Sequence, residues 1–334
     1  MFSGLKRVYK GYIRDWVGDL DRIRVRLVNY TRNGDRIIAA AAKLSLSRKN
    51  IEDLLAMPDS EVETWIIETW KRQHFSPWEH SSYTWIAEGC SRICTHQLVR
   101  HRLASYTQQS MRYTEGVLRN IALKSSELLG LDCPPSPKKT IARNAYLCYA
   151  KSLANSKELD EDTIVSLAKE AYVFPPTIID RDLVETAVSY LEATAQYYRL
   201  LASGVPREDA RFVIPHAVRT RIIVTMNARE LVQSFLPLRM CTRAQWELRH
   251  VSWMLWNKLM EIHPRLFKWT GPRCVFNENT SRRDPQPLVN YINGSAEFTI
   301  ERCPELVPRE GVRSCLLYAW KFTNSGPPRS RSSI

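Results

Sequence analysis

From Leu183 to Leu201 the apolar side chains of Val184, Ala187, Val188, Leu191, Ala195, Tyr198 and Leu201 recur three and four residues apart. That period draws one stripe along a helix, and such a stripe is stable only when another layer covers it. A second helix is predicted over QWELRHVSWMLWNKLMEI, with Leu248, Val251, Leu255 and Leu259 on its buried side. It reads as the last strong helix of the chain. Short β-rich runs lie between these stripes and before them: Val25 to Tyr30 (VRLVNY), WEHSSYTWIAEG at 78–89 and RIIVTM at 221–226. The 334 residues are 44% hydrophobic, enough for one sizeable core or two modest domains and too many for a disordered chain. Nowhere do eighteen apolar residues run together, and no apolar stretch follows the basic N-terminus MFSGLKRVYKGYIRDW. Neither a membrane span nor a secretory signal is expected, and a cytoplasmic chain is.

Local punctuation refines the outline. Residues 1–24 read as an N-terminal extension. A turn at Asn33-Gly34 precedes a helix through IIAAAAKLSL, with Asp35 as its cap. A short helix runs from Asn50 or Ile51 to Met57, and Ser60 caps the next, which carries Val62, Trp65, Ile66 and Trp70. Ser91 to His101 reads as helix, and RHRLASYTQQSMRY as a helix end running into a loop. LDCPPSPKK marks an insert or linker near 130–140, and TIARNAYLCYAKSLAN after it resumes as helix. Gly204 fits a left-handed helix end, and Asn227 an N-cap. Residues 265–334 form a C-terminal extension with a mobile tail; EFTIERC and RSCLLYAW there read as short strands, or as a strand and a helix turn.

Lys and Arg number 48 against 35 Asp and Glu, a formal charge of +13 that points towards anionic partners. Eight cysteines stand at 90, 94, 133, 148, 241, 274, 303 and 315 without a CxxC pair. They read as buried free thiols, and no metal is expected. GxSxG, HExxH, GxxxxGK[ST] and GxGxxG are all missing. The densest polar group is Arg100-His101-Arg102 followed by Ser105, Thr107, Gln108, Gln109, Ser110 and Arg112. Guanidinium groups clamp phosphate, while hydroxyls and amides read sugar and base edges. On composition alone a solvated basic turn competes with this reading. A second set, Arg207, Arg211, Arg219, Arg221, Asn227, Arg229 and Arg239, adds cations and invites a nucleotide or flavin. Nucleic acid is the competing ligand, but zinc-finger spacings, an RNP-like strand and a long Lys-rich face are lacking.

Taken together, Arg100-His101-Arg102-x-x-Ser105-x-Thr107-x-x-Ser110-x-Arg112 resembles the RHRxxSxNxxSxR signature of the flavin-dependent thymidylate synthases. FSPWEH (75–80), AAKLS (41–45), SGVPREDAR (203–211), TMNAREL (225–231) and LRMCTRAQWELR (238–249) resemble further blocks of that family, and the likeness covers 25–264. The resemblance implies an α/β (α+β) fold with one main domain, a twisted antiparallel-rich sheet with packed helices. It implies a homotetramer with active sites between subunits, FAD as cofactor, and reductive C5-methylation of dUMP to dTMP. Methylenetetrahydrofolate would supply the carbon and NADPH the electrons, with neither membrane nor nucleic acid involved.

Carried over by position, the resemblance places Ser45, His80, Ser82, Arg100, His101, Arg102, Asn227, Arg229 and Arg243 at the flavin. Gln97, Gln108, Gln109, Ser110, Met111, Arg112, Arg211 and Arg239 would hold the nucleotide. Arg239, Ser110 and Arg112 would serve catalysis, Arg239 beside the uracil carbonyl edge. Departures fall on these same positions. Thr107 stands for the family's Asn, Gln108 for Glu and Arg243 for His, and one extra residue lies between Asn227 and Arg239. They raise a second substrate, UMP, methylated by relatives in nucleoside-antibiotic pathways. A non-catalytic nucleic-acid-binding module on the same fold is a third reading.

Overall fold

A computed structural model of the chain describes residues 20, 22–128 and 159–325. Most of the expected N-terminal extension, the insert near 130–140 with the helix after it, and the end of the tail lie outside the described residues.

Four antiparallel strands form one sheet in the order β1-β2-β4-β3: β1 (Arg24–Tyr30), β2 (Ser82–Ser91), β3 (Ala104–Gln108) and β4 (Arg219–Asn227). The two central strands show why they pair. Tyr83, Trp85 and Ala87 of β2 sit opposite Met226, Val224 and Ile222 of β4, and all six are buried. Alternate residues point to the other face, where the Thr84 and Thr225 hydroxyls share a hydrogen bond of 2.9 Å. A slip of one residue would turn the whole apolar set outward, so the register is firmly specified.

β3 corrects the loop expected over residues 104–108. Its inward positions Ala104, Tyr106 and Gln108 are only half-buried, and Ser105 and Thr107 face solvent. An edge strand has one neighbour and one short buried row, so it needs no apolar run to form.

Helices cover the sheet: α1 (Gly34–Leu44), α2 (Asp59–Lys71), α3 (Arg92–Leu98), α4 (Leu183–Ala202), α5 (Trp246–Ile262), α6 (Arg273–Ser281) and α7 (Arg309–Ser325). Asn33, left-handed at φ 53°, occupies the cap of α1, and Asp35 lies in the first turn instead, paired with Arg265 at 3.0 Å. Gly34 is required there, because a Cβ would stand 2.2 Å from Ser81 Oγ. Pro58, not Ser60, precedes α2. The short helix before it stops at Leu55, and α3 at Leu98, three residues short of His101. Ser91 caps α3 by accepting from Cys94 N–H, and Asn227 caps its own turn by accepting from Glu230 N–H. Gly204 after α4 is left-handed at φ 92°.

The C-terminal region differs most from expectation. EFTIERC and RSCLLYAW add no strand to the sheet, and RSCLLYAW lies inside α7, a helix as long as α5. Its Val312, Leu316 and Ala319 join the same core as the sheet. Trp70 of α2 is the bridge, with ring centroids 5.4 Å from Phe75, 5.7 Å from Trp269 and 5.8 Å from Phe276. Removing a fully buried Trp of this kind costs about 3–5 kcal/mol.

Two polar groups tie α5 to the sheet. Glu247 in its first turn is buried and accepts from Ser91 N–H at 2.7 Å and Ser91 Oγ at 2.5 Å. His263 at its far end accepts from Gly34 N–H at 3.3 Å through Nε2, so Nδ1 carries the proton and donates to Tyr83 Oη at 2.8 Å. Burial holds His263 below the usual imidazole range, against a smaller upward pull from Asp35. The unfolded chain therefore binds a proton more readily than the folded one. Stability should be full above about pH 6.5 and fall as the pH drops towards the depressed folded value. Thermal unfolding of wild type and His263→Gln across pH 5–8 tests this: the variant should lose about 1 kcal/mol at pH 7.5 and show a flatter acid limb.

Candidate active site

β4 runs into a helical segment that begins at the Asn227 cap and ends at Arg239. It opens with α-helical Ala228–Glu230, widens to a π turn over Leu231–Phe235 and closes α-helical over Leu236–Arg239. A π turn holds one residue more than an α turn, and such turns are frequent at functional sites.

Opposite this segment, the end of α3 carries Gln97 and the chain beyond it His101. His101 is buried, with its ring edge-on to Phe235 at 5.1 Å between centroids. Arg239 Nε donates to His101 Nε2 at 2.9 Å, so Nε2 is unprotonated. Nδ1 then bears the hydrogen and donates to Glu230 Oε1 at 3.0 Å, with Ser234 Oγ at 3.2 Å. Arg239 Nη2 also donates to the Gln97 carbonyl at 3.3 Å. Tyr106 Oη donates to the carbonyls of Leu98 and His101, fixing the turn between α3 and β3. The product is a row of buried carboxylate, buried neutral imidazole and half-buried guanidinium.

The sheet register sorts the expected site residues. Ser82 opens β2 opposite Asn227, and Ala104 opens β3 opposite Met226, so Ser82, Asn227 and Arg102 share one end of the sheet. Arg229 lies just beyond Asn227, paired with Glu79 and donating to Gln233 Oε1 at 2.8 Å. Ser45 and His80 line a cleft of about 1030 Å³ between α1 and α2, with Trp65 in its wall. Arg100 and Arg102 are exposed, outside that cleft's lining, and Arg243 is exposed on the turn before α5. His101 turns inward, so its side chain serves Arg239.

The opposite end of the sheet gathers six of the eight residues expected at the nucleotide, while Gln97 and Arg239 lie with His101. Gln108 Nε2 donates to Thr95 Oγ1 at 3.0 Å and to Thr220 Oγ1 at 3.3 Å. Gln109 N–H donates to the Arg221 carbonyl, and Met111 is buried. Ser110 Oγ accepts from Arg112 N–H at 3.3 Å. Arg112 reaches Glu208 Oε2 at 2.9 Å, and Arg211 Nε donates to the Glu208 carbonyl at 2.9 Å. Arg211 and Arg112 are thus brought together through one residue.

Several groups here escaped the sequence reading. Burial and then the nearby Arg211 hold the Arg92 guanidinium below its usual range. His96 stacks on His216 with centroids 5.1 Å apart, and burial, then His216, Arg92 and Arg100, push its pKa down. Arg92 and His96 are four residues apart on α3, a helical spacing that puts them on one face. Glu230 and Glu208 carried no motif beyond their place in TMNAREL and SGVPREDAR.

The family model for thymidylate synthase complementing proteins matches residues 26–265. The flavin-dependent thymidylate synthase of Aeropyrum pernix is 54% identical over 302 residues, covering 89% of this chain and 93% of its own. That likeness is longer than the family model and runs into the C-terminal flank. Among solved structures, the flavin-dependent thymidylate synthase ThyX of Helicobacter pylori, in complex with FAD and dUMP, is 23% identical with a TM-score of 0.51. It covers 74% of this chain and 99% of its own. The UMP/dUMP methylase PolB of Streptomyces cacaoi, bound with 5-Br dUMP, is 22% identical with a TM-score of 0.52, covering 73% and 93%. At those identities the two structures speak for the fold. With the matched model and the 54% relative, the conclusion is that this chain belongs to the flavin-dependent thymidylate synthase family.

Proposed function

We propose that the chain is an FAD-dependent enzyme that reductively methylates C5 of dUMP to give dTMP, taking the carbon from methylenetetrahydrofolate and electrons from NADPH. The observation that carries this reading is the setting of Arg239. Its hydrogen-bond partners are a neutral imidazole and a peptide carbonyl. Burial lowers its pKa, yet a guanidinium stays protonated. A fixed cation with no carboxylate on it among the described residues can stabilise negative charge that develops on a uracil ring when C5 or C6 is attacked. Ser110 lacks a base to activate it and serves as a nucleotide contact. Arg112 and Arg211 are suited to a phosphate, for which Glu208 holds their place.

The FAD site is supported by the chemistry of the donors that the fold assembles. Ser45 and His80 share a cleft of cofactor size with an aromatic wall. Ser82, Asn227, Arg229 and Arg102 add polar and cationic groups at the adjoining sheet end. These residues would hold the group, which supplies hydride when bound. Asn227 is already committed to Glu230 N–H through Oδ1, so its amide nitrogen is the atom left to donate.

Assembly from several copies is supported by three exposed side chains. Leu103 is 70% exposed, Tyr113 76% and Phe212 82%, each directly beside an expected site cation, Arg102, Arg112 or Arg211. Large apolar groups among ligand-binding cations fit a surface covered by a neighbouring subunit, in keeping with a homotetramer. A cytoplasmic enzyme suits the same reading; no helix among the described residues is long and apolar enough to cross a membrane.

The Gln108 bonds bear on the choice between dUMP and UMP. Its amide nitrogen is engaged by Thr95 and Thr220, leaving Oε1 as its remaining hydrogen-bonding atom. That is an acceptor, as in the Glu it replaces. The substitution therefore gives UMP no new partner, and dUMP is the favoured substrate.

With equal dUMP and UMP competing, product mass spectrometry should find methylated dUMP in excess, and Gln108→Glu should leave the preference within about twofold. Arg239→Lys should lower turnover roughly 10²-fold while the visible flavin spectrum of the purified protein persists. Phe212→Ser combined with Leu103→Ser should lower the mass measured by light scattering and release flavin.

A further inference from the structure

The C-terminal helices meet the segment after Arg239 around one small pocket, and four cysteines line it. Cys241 comes from the turn after Met240, Cys274 from α6, Cys303 from the loop before α7 and Cys315 from α7. The pocket leaves about 20 Å³ open to the centre of a water-sized sphere. That is more than packed thiols in direct contact leave.

The four thiols are free, so no disulfide joins them. Nor do they suit a single ion. Tetrahedral zinc, with Zn–S bonds of about 2.3 Å, draws its sulfurs to within about 4 Å of each other. Among the described residues no three His, Cys, Asp or Glu side chains converge in a way that could hold a metal ion. Four thiols set around a shared space, and not on a point, match a wider inorganic core.

Two polar groups reach the sulfurs, while burial pushes the Cys241 and Cys274 thiols up, so the metal itself must displace their protons. Thr242 Oγ1 lies 3.2 Å from Cys315 Sγ, and Val307 N–H donates to Cys303 Sγ at 3.4 Å. Hydrogen bonds to sulfur of this kind stabilise thiolates around metal clusters. Arg249, buried, donates from Nη1 to the Thr242 carbonyl at 2.8 Å. A guanidinium held there offsets a net negative group.

We propose that Cys241, Cys274, Cys303 and Cys315 ligate a cuboidal iron–sulfur cluster of the [4Fe–4S] class. Each thiol gives up its proton on binding iron, and the four thiolates outweigh the positive iron–sulfide core, leaving a negative unit beside Arg249. Cys241 follows Arg239 by two residues. The cluster would therefore fasten the end of the catalytic segment to α6 and α7.

The whole chain, purified without oxygen, is assayed for iron and acid-labile sulfide, neither of which flavin supplies. Roughly four of each per chain are expected, with a low-temperature EPR signal after dithionite that is distinct from a flavin radical. Cys274→Ser and Cys303→Ser should each cut bound iron at least threefold, while Cys90→Ala, whose thiol lies elsewhere in the core, should retain it. Less than about half an equivalent of iron and sulfide, persisting after anaerobic reconstitution with ferrous iron and sulfide, would overturn the proposal. So would about one zinc per chain, or disulfides among the four in a non-reducing peptide map.

Discussion

A neutral imidazole clamped between a buried carboxylate and a half-buried guanidinium organises the site end of this molecule. Ionised groups away from water cost several kcal/mol each unless their lone pairs and protons find partners. Here each link supplies the next. The register of β4 against β2 places Asn227, whose side chain caps the turn carrying Glu230. Glu230 then sets the tautomer of His101, which leaves Nε2 as the acceptor that orients Arg239. The strength of the arrangement lies in its dependence on the sheet: a shift of one residue in β4 would undo the cap, the tautomer and the cation together.

How much of this was legible follows from where each signal resides. β2 and β4 and the helices α4 and α5 were readable because a buried face writes its period into the chain, and β1 because its run is rich in β-formers. β3 was not, since Ala104, Tyr106 and Gln108 make one short half-buried row with hydroxyls between. α7 was hidden for a different reason. Its neighbourhood is rich in turn residues, and its apolar positions are buried only because distant elements such as α5 pack on it. The motif Arg100 to Arg112 spelled a ligand site, but not the inward turn of His101. That orientation depends on Glu230, 129 residues away, and no local spacing carries it.

The flanking region also changes the picture of what the domain is. Tryptophans and phenylalanines from α2, the turn after it and α6 meet in one cluster around Trp70. Glu278, fully buried, accepts from the N–H groups of Thr299 and Ile300 and pairs with Arg282. Asn279 beside it bonds the carbonyls of Trp269 and Gln286. Segments so thoroughly satisfied behave as part of the core, and the aromatic cluster would be open to water without them.

The π turn at Leu231–Phe235 bears on how such a chain changes over descent. A helix that takes in an added residue as a local widening keeps the phase of its two flanks, so Glu230 before it and Arg239 after it remain aimed at the same histidine. Inside the widened turn, Gln233 faces Arg229. A turn widened in this way can take up one residue of length while Glu230 and Arg239 keep their bonds to His101. The turn works as an expansion joint, absorbing a change in length where the fixed points on either side cannot move.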